Sequence, residues 1–290
     1  MPVRRIQTPR FSGARGWFPI TRACPASTGD RRRSRKEDMV RNARRRLAWC
    51  GALAVLSFGT APARADAVDL ELVFAADGSG SIDEDELRLQ RKGWADALTS
   101  ADVLAGIRDG AIGAVAVAYM EWGGPQSQVL VVDWHVVRDA ASARAFADRL
   151  LSAPRGASGY NSIANAIEFS VRLVEENGHQ GTRKVIDVSG DGPNIGGRPL
   201  PAARAEAVAK GFTINALAIR RPGGRPGGPG GQPLEEYYAE AVIGGPGAFV
   251  EVADETRPFA LAARRKLLTE IADRPASRRR YAARPQRGSP

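Results

Sequence analysis

Strand-length apolar runs alternate with amphipathic helical segments from about residue 70 onward, and this alternation limits what the chain can fold into. Residues 70–76 ("LELVFAA"), 184–188 and 212–219 are short apolar runs of the kind a sheet buries on both faces. Between the first two lies "GYNSIANAIEFSVRLVEEN". Its Ile163, Ala166, Ile167, Ser170, Val171 and Val174 recur at helical spacing, so one stripe faces a core. Helices are also expected over 83–98 (Leu87, Trp94 and Leu98 inward) and after an Asp139 N-cap (Ala143, Phe146 and Leu150 inward). Three more are expected over 201–210, 234–242 and 259–271. Residues 111–122 and 128–137 read as two strands joined at Gly123-Gly124-Pro125, and 248–252 as a last strand. The fold class is α/β: a doubly wound, mostly parallel sheet with helices on both faces and one antiparallel edge hairpin.

The formal charge of +10 points at first to a nucleic-acid or membrane-surface binder. It is unevenly placed. Residues 1–65 hold 15 of the 42 Lys and Arg but only 3 of the 32 Asp and Glu, which leaves 27 basic against 29 acidic residues beyond them. Residues 39–65 read as a signal peptide, with basic residues Arg44 to Arg46, an apolar stretch from Leu47, and the small-x-small end Ala63-Arg64-Ala65. Residues 1–38 lack periodicity and are expected to be disordered, or to precede the true start at Met39. The Gly/Pro-rich 220–233 is expected to be a flexible surface loop, and 273–290 a disordered basic tail. An exported chain, periplasmic or secreted, with no stable membrane span after cleavage, is therefore expected. Both cysteines, Cys24 and Cys50, precede the cleavage point, and the chain has only two histidines, His135 and His179. Disulfides in the mature chain and a multi-histidine zinc site are excluded.

In sheets of this kind ligands bind beyond the carboxyl ends of strands. Residues 70–76 run into Asp77-Gly78-Ser79-Gly80-Ser81, and 184–188 into Ser189-Gly190-Asp191-Gly192. In an extended turn Asp77, Ser79 and Ser81 share one side of the backbone, offering one anionic and two neutral oxygens. Such a set suits a hard cation, Mg²⁺ or Mn²⁺ before Ca²⁺. Asp191 would bring a second carboxylate, and Asn161 or Ser162 a further oxygen from a third loop. Asp-Gly and Ser-Gly are also ordinary turn dipeptides. Asp83 and Glu84, in a first helical turn, are expected to complement the helix dipole instead.

Asp77-x-Ser79-x-Ser81 after an apolar strand, a helix-entry loop ending in Ala166-Ile167, and a later strand leading to Asp191-Gly192 resemble the von Willebrand factor type A domain. The resemblance covers roughly residues 68–272. The phrases "VIDVSGDGPN" and "VIGGPGAFV" resemble an exported bacterial branch of that fold without an assigned function. It implies a metal-ion-dependent adhesion site with Ser79 and Ser81 as direct ligands, and with Asp77 and Asp191 binding directly or through water. The family places Thr where this chain has Asn161, whose amide oxygen can also ligate a cation.

The function these features imply is an exported, divalent-metal-dependent protein-binding module, not an enzyme, that takes a partner's Asp or Glu carboxylate through its bound cation. The alternative is a metal-assisted hydrolase or phosphohydrolase using the same oxygens. Against it stand the lack of a Gly-x-Ser-x-Gly elbow and of a Gly-rich phosphate loop followed by Lys. Nucleic acid is not an expected partner, since the excess positive charge belongs mainly to the leader.

Overall fold

The computed structural model describes residues 66–221 and 227–271. The leader, the tail and the middle of the Gly/Pro loop lie outside the described residues. The strands are β1 (Asp66–Val68), β2 (Leu70–Asp77), β3 (Val115–Trp122), β4 (Gln128–Val137), β5 (His179–Gly181), β6 (Lys184–Gly190), β7 (Phe212–Ile219) and β8 (Val250–Ala253). The helices are α1 (Glu84–Leu98), α2 (Ala101–Arg108), α3 (Ala140–Ser152), α4 (Ile163–Glu176), α5 (Leu200–Ala209), α6 (Leu234–Tyr237) and α7 (Phe259–Ile271). Six strands form one sheet in the order β4-β3-β2-β6-β7-β8, parallel throughout except for β4.

Alternation along the strands separates two cores. Val73 and Ala75 of β2, Met120 and Trp122 of β3, and Ile186 and Val188 of β6 pack against α4 and α5. Leu72 and Phe74 of β2, Val117 and Tyr119 of β3, and Val185 of β6 turn to the other face. There they meet Trp94 and Leu98 of α1, Phe146 of α3 and Leu267 of α7. The six residues of the α4 stripe are all buried. From β2 the chain crosses one face through α1 and α2 to β3; after β4 it adds α3 to that same face and then crosses the other through α4 to β6. Neighbouring strands β2 and β6 thus form the topological switch point, where such sheets open a crevice at their carboxyl ends. Asp77 closes β2 and Asp191 follows β6, so both carboxylates reach that crevice.

Several expectations needed correction. The strand expected from residue 111 begins at Val115, because the Asp69 carboxylate draws off the N–H groups of Ile112 (3.0 Å) and Gly113 (2.8 Å). Helix α2 was not foreseen; its Val103, Leu104 and Ile107 reach the core, although the helix has only eight residues. Strands β1 and β5, also unforeseen, pair parallel as a separate two-stranded sheet, secured by Glu71, which accepts from Gly181 N (2.6 Å). The helix expected over 234–242 widens into a π-helical turn at Tyr238–Val242. Part of the loop expected to lack structure forms a single 3₁₀ turn, Pro229–Gly231, closed by Gly228 N donating to the Gln232 carbonyl.

Candidate metal site

The β2 turn holds its three oxygens as the alternation requires. Asp77 Oδ1 accepts from Ser79 N (2.8 Å), fixing the turn, and the Ser79 and Ser81 hydroxyls lie 3.0 Å apart. Ser81 Oγ donates to Asp191 Oδ1 across 3.0 Å, bridging β2 to β6. Burial grades along this chain of oxygens: Asp77 and Ser79 are fully buried, Asp191 partly so, and Ser81 faces solvent. Asp77 Oδ2 is buried with no hydrogen-bond partner. It faces Gly190, where an added Cβ would stand 3.1 Å from it and 2.8 Å from the Tyr238 hydroxyl, so only glycine fits that approach. Burial, and then the negative charge of Asp191, push the Asp77 carboxyl up to about 7. Tyr238, from the π-helical turn, donates its hydroxyl to the Gly192 carbonyl (2.9 Å), holding the loop after β6; burial keeps that phenol protonated.

The third loop arrives beside the second. The buried Asn161 places its side-chain amide nitrogen 2.8 Å from where a Cβ on Gly192 would stand, and its backbone carbonyl accepts from Ile195 N (2.8 Å). The Ser162 hydroxyl lies within reach of Asn165 Oδ1 (2.8 Å) and the Gly196 carbonyl (2.9 Å), so it serves its own helix entry. Of the two alternatives in this loop, Asn161 is the one beside the residue that follows Asp191. Asp83 turns away from the site as the N-cap of α1, accepting from Asp85 N and Glu86 N, and Glu84 pairs with Arg155 at 3.0 Å.

Two arginines complete the site, and neither was marked by its local sequence. Arg155 lies under the β2 turn, its Nη2 donating to the carbonyls of Gly78 (3.0 Å), Ser79 (3.0 Å) and Ile82 (2.7 Å). The start of that loop is anchored from within by the buried pair Arg91–Glu121, at 2.6 Å, with Glu121 also accepting from Gly156 N (2.7 Å). Arg221, just past β7, pairs with Asp191 Oδ2 at 2.9 Å. Arg155→Ala is expected to lower stability by about 2 kcal/mol, the usual scale for charge-assisted hydrogen bonds lost to a loop. Arg155→Lys should recover only part, because one ammonium can replace Nη2 at the three carbonyls but not also the Nε donation to the Ala157 carbonyl (3.2 Å) and the Nη1 pair with Glu84. Urea melts of the two variants measure this directly.

The donor set fits a hard cation. A buried carboxylate oxygen stands unpartnered beside two hydroxyls and a second carboxylate, with an amide nearby. Among the described residues no group of three His, Cys, Asp and Glu is placed to hold a metal, so softer tetrahedral sites find no ligands here. Both histidines lie elsewhere: His135 Nε2 is 3.0 Å from the Ser142 carbonyl and His179 packs on Trp134.

Residues 67–275 match the profile of a family described as "Protein of unknown function (DUF1194)". The chain belongs to that family. Its fold is that of the von Willebrand factor type A domain. Among solved structures it is similar to proximal thread matrix protein 1 from the mussel byssus, at 16% identity and TM-score 0.50, over 72% of this chain and 48% of that one. That structure carries zinc in its metal-ion-dependent adhesion motif. It is also similar to the pilus adhesin SpaC from Lactobacillus rhamnosus GG, at 15% identity and TM-score 0.49, over 71% of this chain and 30% of that one. A von Willebrand factor type A protein from Catenulispora acidiphila matches at 14% identity and TM-score 0.48, over 71% of this chain and 42% of that one. The DUF1194 chain thus spans less than half the length of each. No curated protein matches it. Among the described residues no helix is long and apolar enough to cross a membrane.

Proposed function

We propose that this DUF1194 protein is an exported, non-enzymatic module that binds a protein partner through a divalent cation held by Asp77, Ser79, Ser81 and Asp191, with Asn161 close by. The observation that carries this reading is the buried, unpartnered Asp77 Oδ2 at the end of a linked row of oxygens. A buried carboxylate oxygen without a donor is costly, and a cation supplies the missing partner. Oxygen-only ligands favour Mg²⁺ or Mn²⁺. With few anionic ligands the ion would stay electron-poor and would accept a carboxylate from outside, an Asp or Glu of the partner.

Two exposed apolar side chains flank the site, Tyr160 (77% exposed) beside Asn161 and Ile195 (65% exposed) on the loop after Asp191. Apolar groups around a polar centre suit a protein surface. The Ser79 and Ser81 hydroxyls are engaged with each other and with Asp191, and neither histidine reaches them, so a serine nucleophile here would have no histidine as its base.

Cross-linking in the cell envelope, with and without chelator, tests the reading. The same partner should be captured only with metal, and should be lost in the Ser79→Ala/Ser81→Ala double variant while its circular dichroism is unchanged. A partner retained after chelation contradicts the proposal. So does metal-dependent hydrolysis of phosphate or ester substrates that disappears in Asp77→Ala.

A further inference from the structure

Arg221 is the second residue past β7, and its guanidinium reaches across the mouth of the oxygen cluster. Its Nη2 lies 2.9 Å from Asp191 Oδ2 and 3.0 Å from Glu86 Oε2, and it donates to the Ser81 carbonyl. The two oxygens of Asp191 are therefore both engaged, Oδ1 by the Ser81 hydroxyl and Oδ2 by Arg221. A guanidinium and a divalent ion sharing one carboxylate at this range would repel each other strongly.

We infer that Arg221 is a built-in competitor of the cation: it neutralises Asp191 in the metal-free protein and must leave that carboxylate when the ion binds. The inference rests on the cation reading proposed above. The side chain can make this move. It is 41% exposed, and Glu86 offers it a second carboxylate outside the proposed ligand set. Displacement therefore gives up one ion pair and keeps another. The chain alternates between an arginine-closed and a metal-bound state, and its apparent affinity for metal is lowered by the closed fraction. Any partner whose own acidic group draws Arg221 away would tighten metal binding, and metal would tighten partner binding equally.

Manganese titrated calorimetrically into the full chain and into Arg221→Ala and Arg221→Gln decides the matter. Arg221→Gln keeps much of the reach and a donor for the Ser81 carbonyl but removes the charge. Both variants are expected to bind manganese about tenfold more tightly than the parent, the scale of one charge-assisted hydrogen bond. Their metal-free melting temperatures should fall, while their manganese-saturated ones match the parent. Equal affinities in all three chains, with binding still lost in Asp77→Ala, would overturn the role of Arg221 and leave the cation site standing. Absence of binding in every chain, each folded by circular dichroism, would overturn both.

Discussion

Lys266→Ala is expected to cost about 3–5 kcal/mol of folding stability, the largest effect of any single substitution considered, since it leaves buried charge uncompensated. Lys266 is fully buried on α7. Its ammonium lies 3.0 Å from Asp187 Oδ1 in the middle of β6 and 2.7 Å from Glu270 Oε1 one turn along its own helix. Asn215 Nδ2 donates to the same Glu270 oxygen (2.7 Å), and the ammonium stands 4.7 Å from the centre of the Phe249 ring. Burial, and then the charge of Glu270, already drive the Asp187 carboxyl well above its ordinary range. Without the lysine that carboxyl rises further. The loss should therefore be smallest in acid, where Asp187 keeps its proton with or without the lysine, and should grow as pH rises through the raised range in which the folded parent ionises Asp187 and the variant still resists it. Adding Asp187→Asn to Lys266→Met should recover part of the loss, because it removes one of the orphaned acids. Urea midpoints at pH 5 and pH 8 measure all of this. An unchanged midpoint in Lys266→Ala would mean that α7 is not held to the sheet by this cluster.

The second large effect concerns Asp77. Its carboxyl is raised to about 7, so the folded chain keeps a proton that the unfolded chain gives up near 4. The stability this group contributes is present below the ordinary carboxylate range and is lost as pH rises through 7. Asp77→Asn, which cannot ionise, should match the metal-free parent near pH 4 and melt above it at pH 8. Manganese should reverse the order at pH 8, because the cation stabilises the ionised carboxylate of the parent and has lost its charged ligand in the variant. Since proton and cation compete for one group, manganese affinity should weaken about tenfold for each pH unit below 7.

The sequence made the frame of the site readable because strand ends and glycine turns are local signals. The apolar run of residues 70–76 ends where the Asp77 turn begins, and the α4 stripe is periodic enough to fix which face is buried. Local sequence offered Asn161 only as one of two candidates, with Ser162, in the loop before α4, and its approach to Gly192 is tertiary. Arg155 and Arg221 carried no local signal at all. Each acts on residues 70 or more positions away, or on a loop from another strand, and a long flexible side chain in a polar stretch does not reveal its target. Helix α2 and the β1–β5 pair were missed for a related reason. They are short, and partners distant in sequence hold them: the packing of Val103 and Ile107, and the Glu71 carboxylate.

The most direct test of the central claim is a calorimetric titration of manganese at pH 8 into the full parent chain and into Asp77→Ala, with both shown to be folded. The cation reading predicts a single site in the parent and no detectable binding in the variant. Equal binding by the two chains would contradict it.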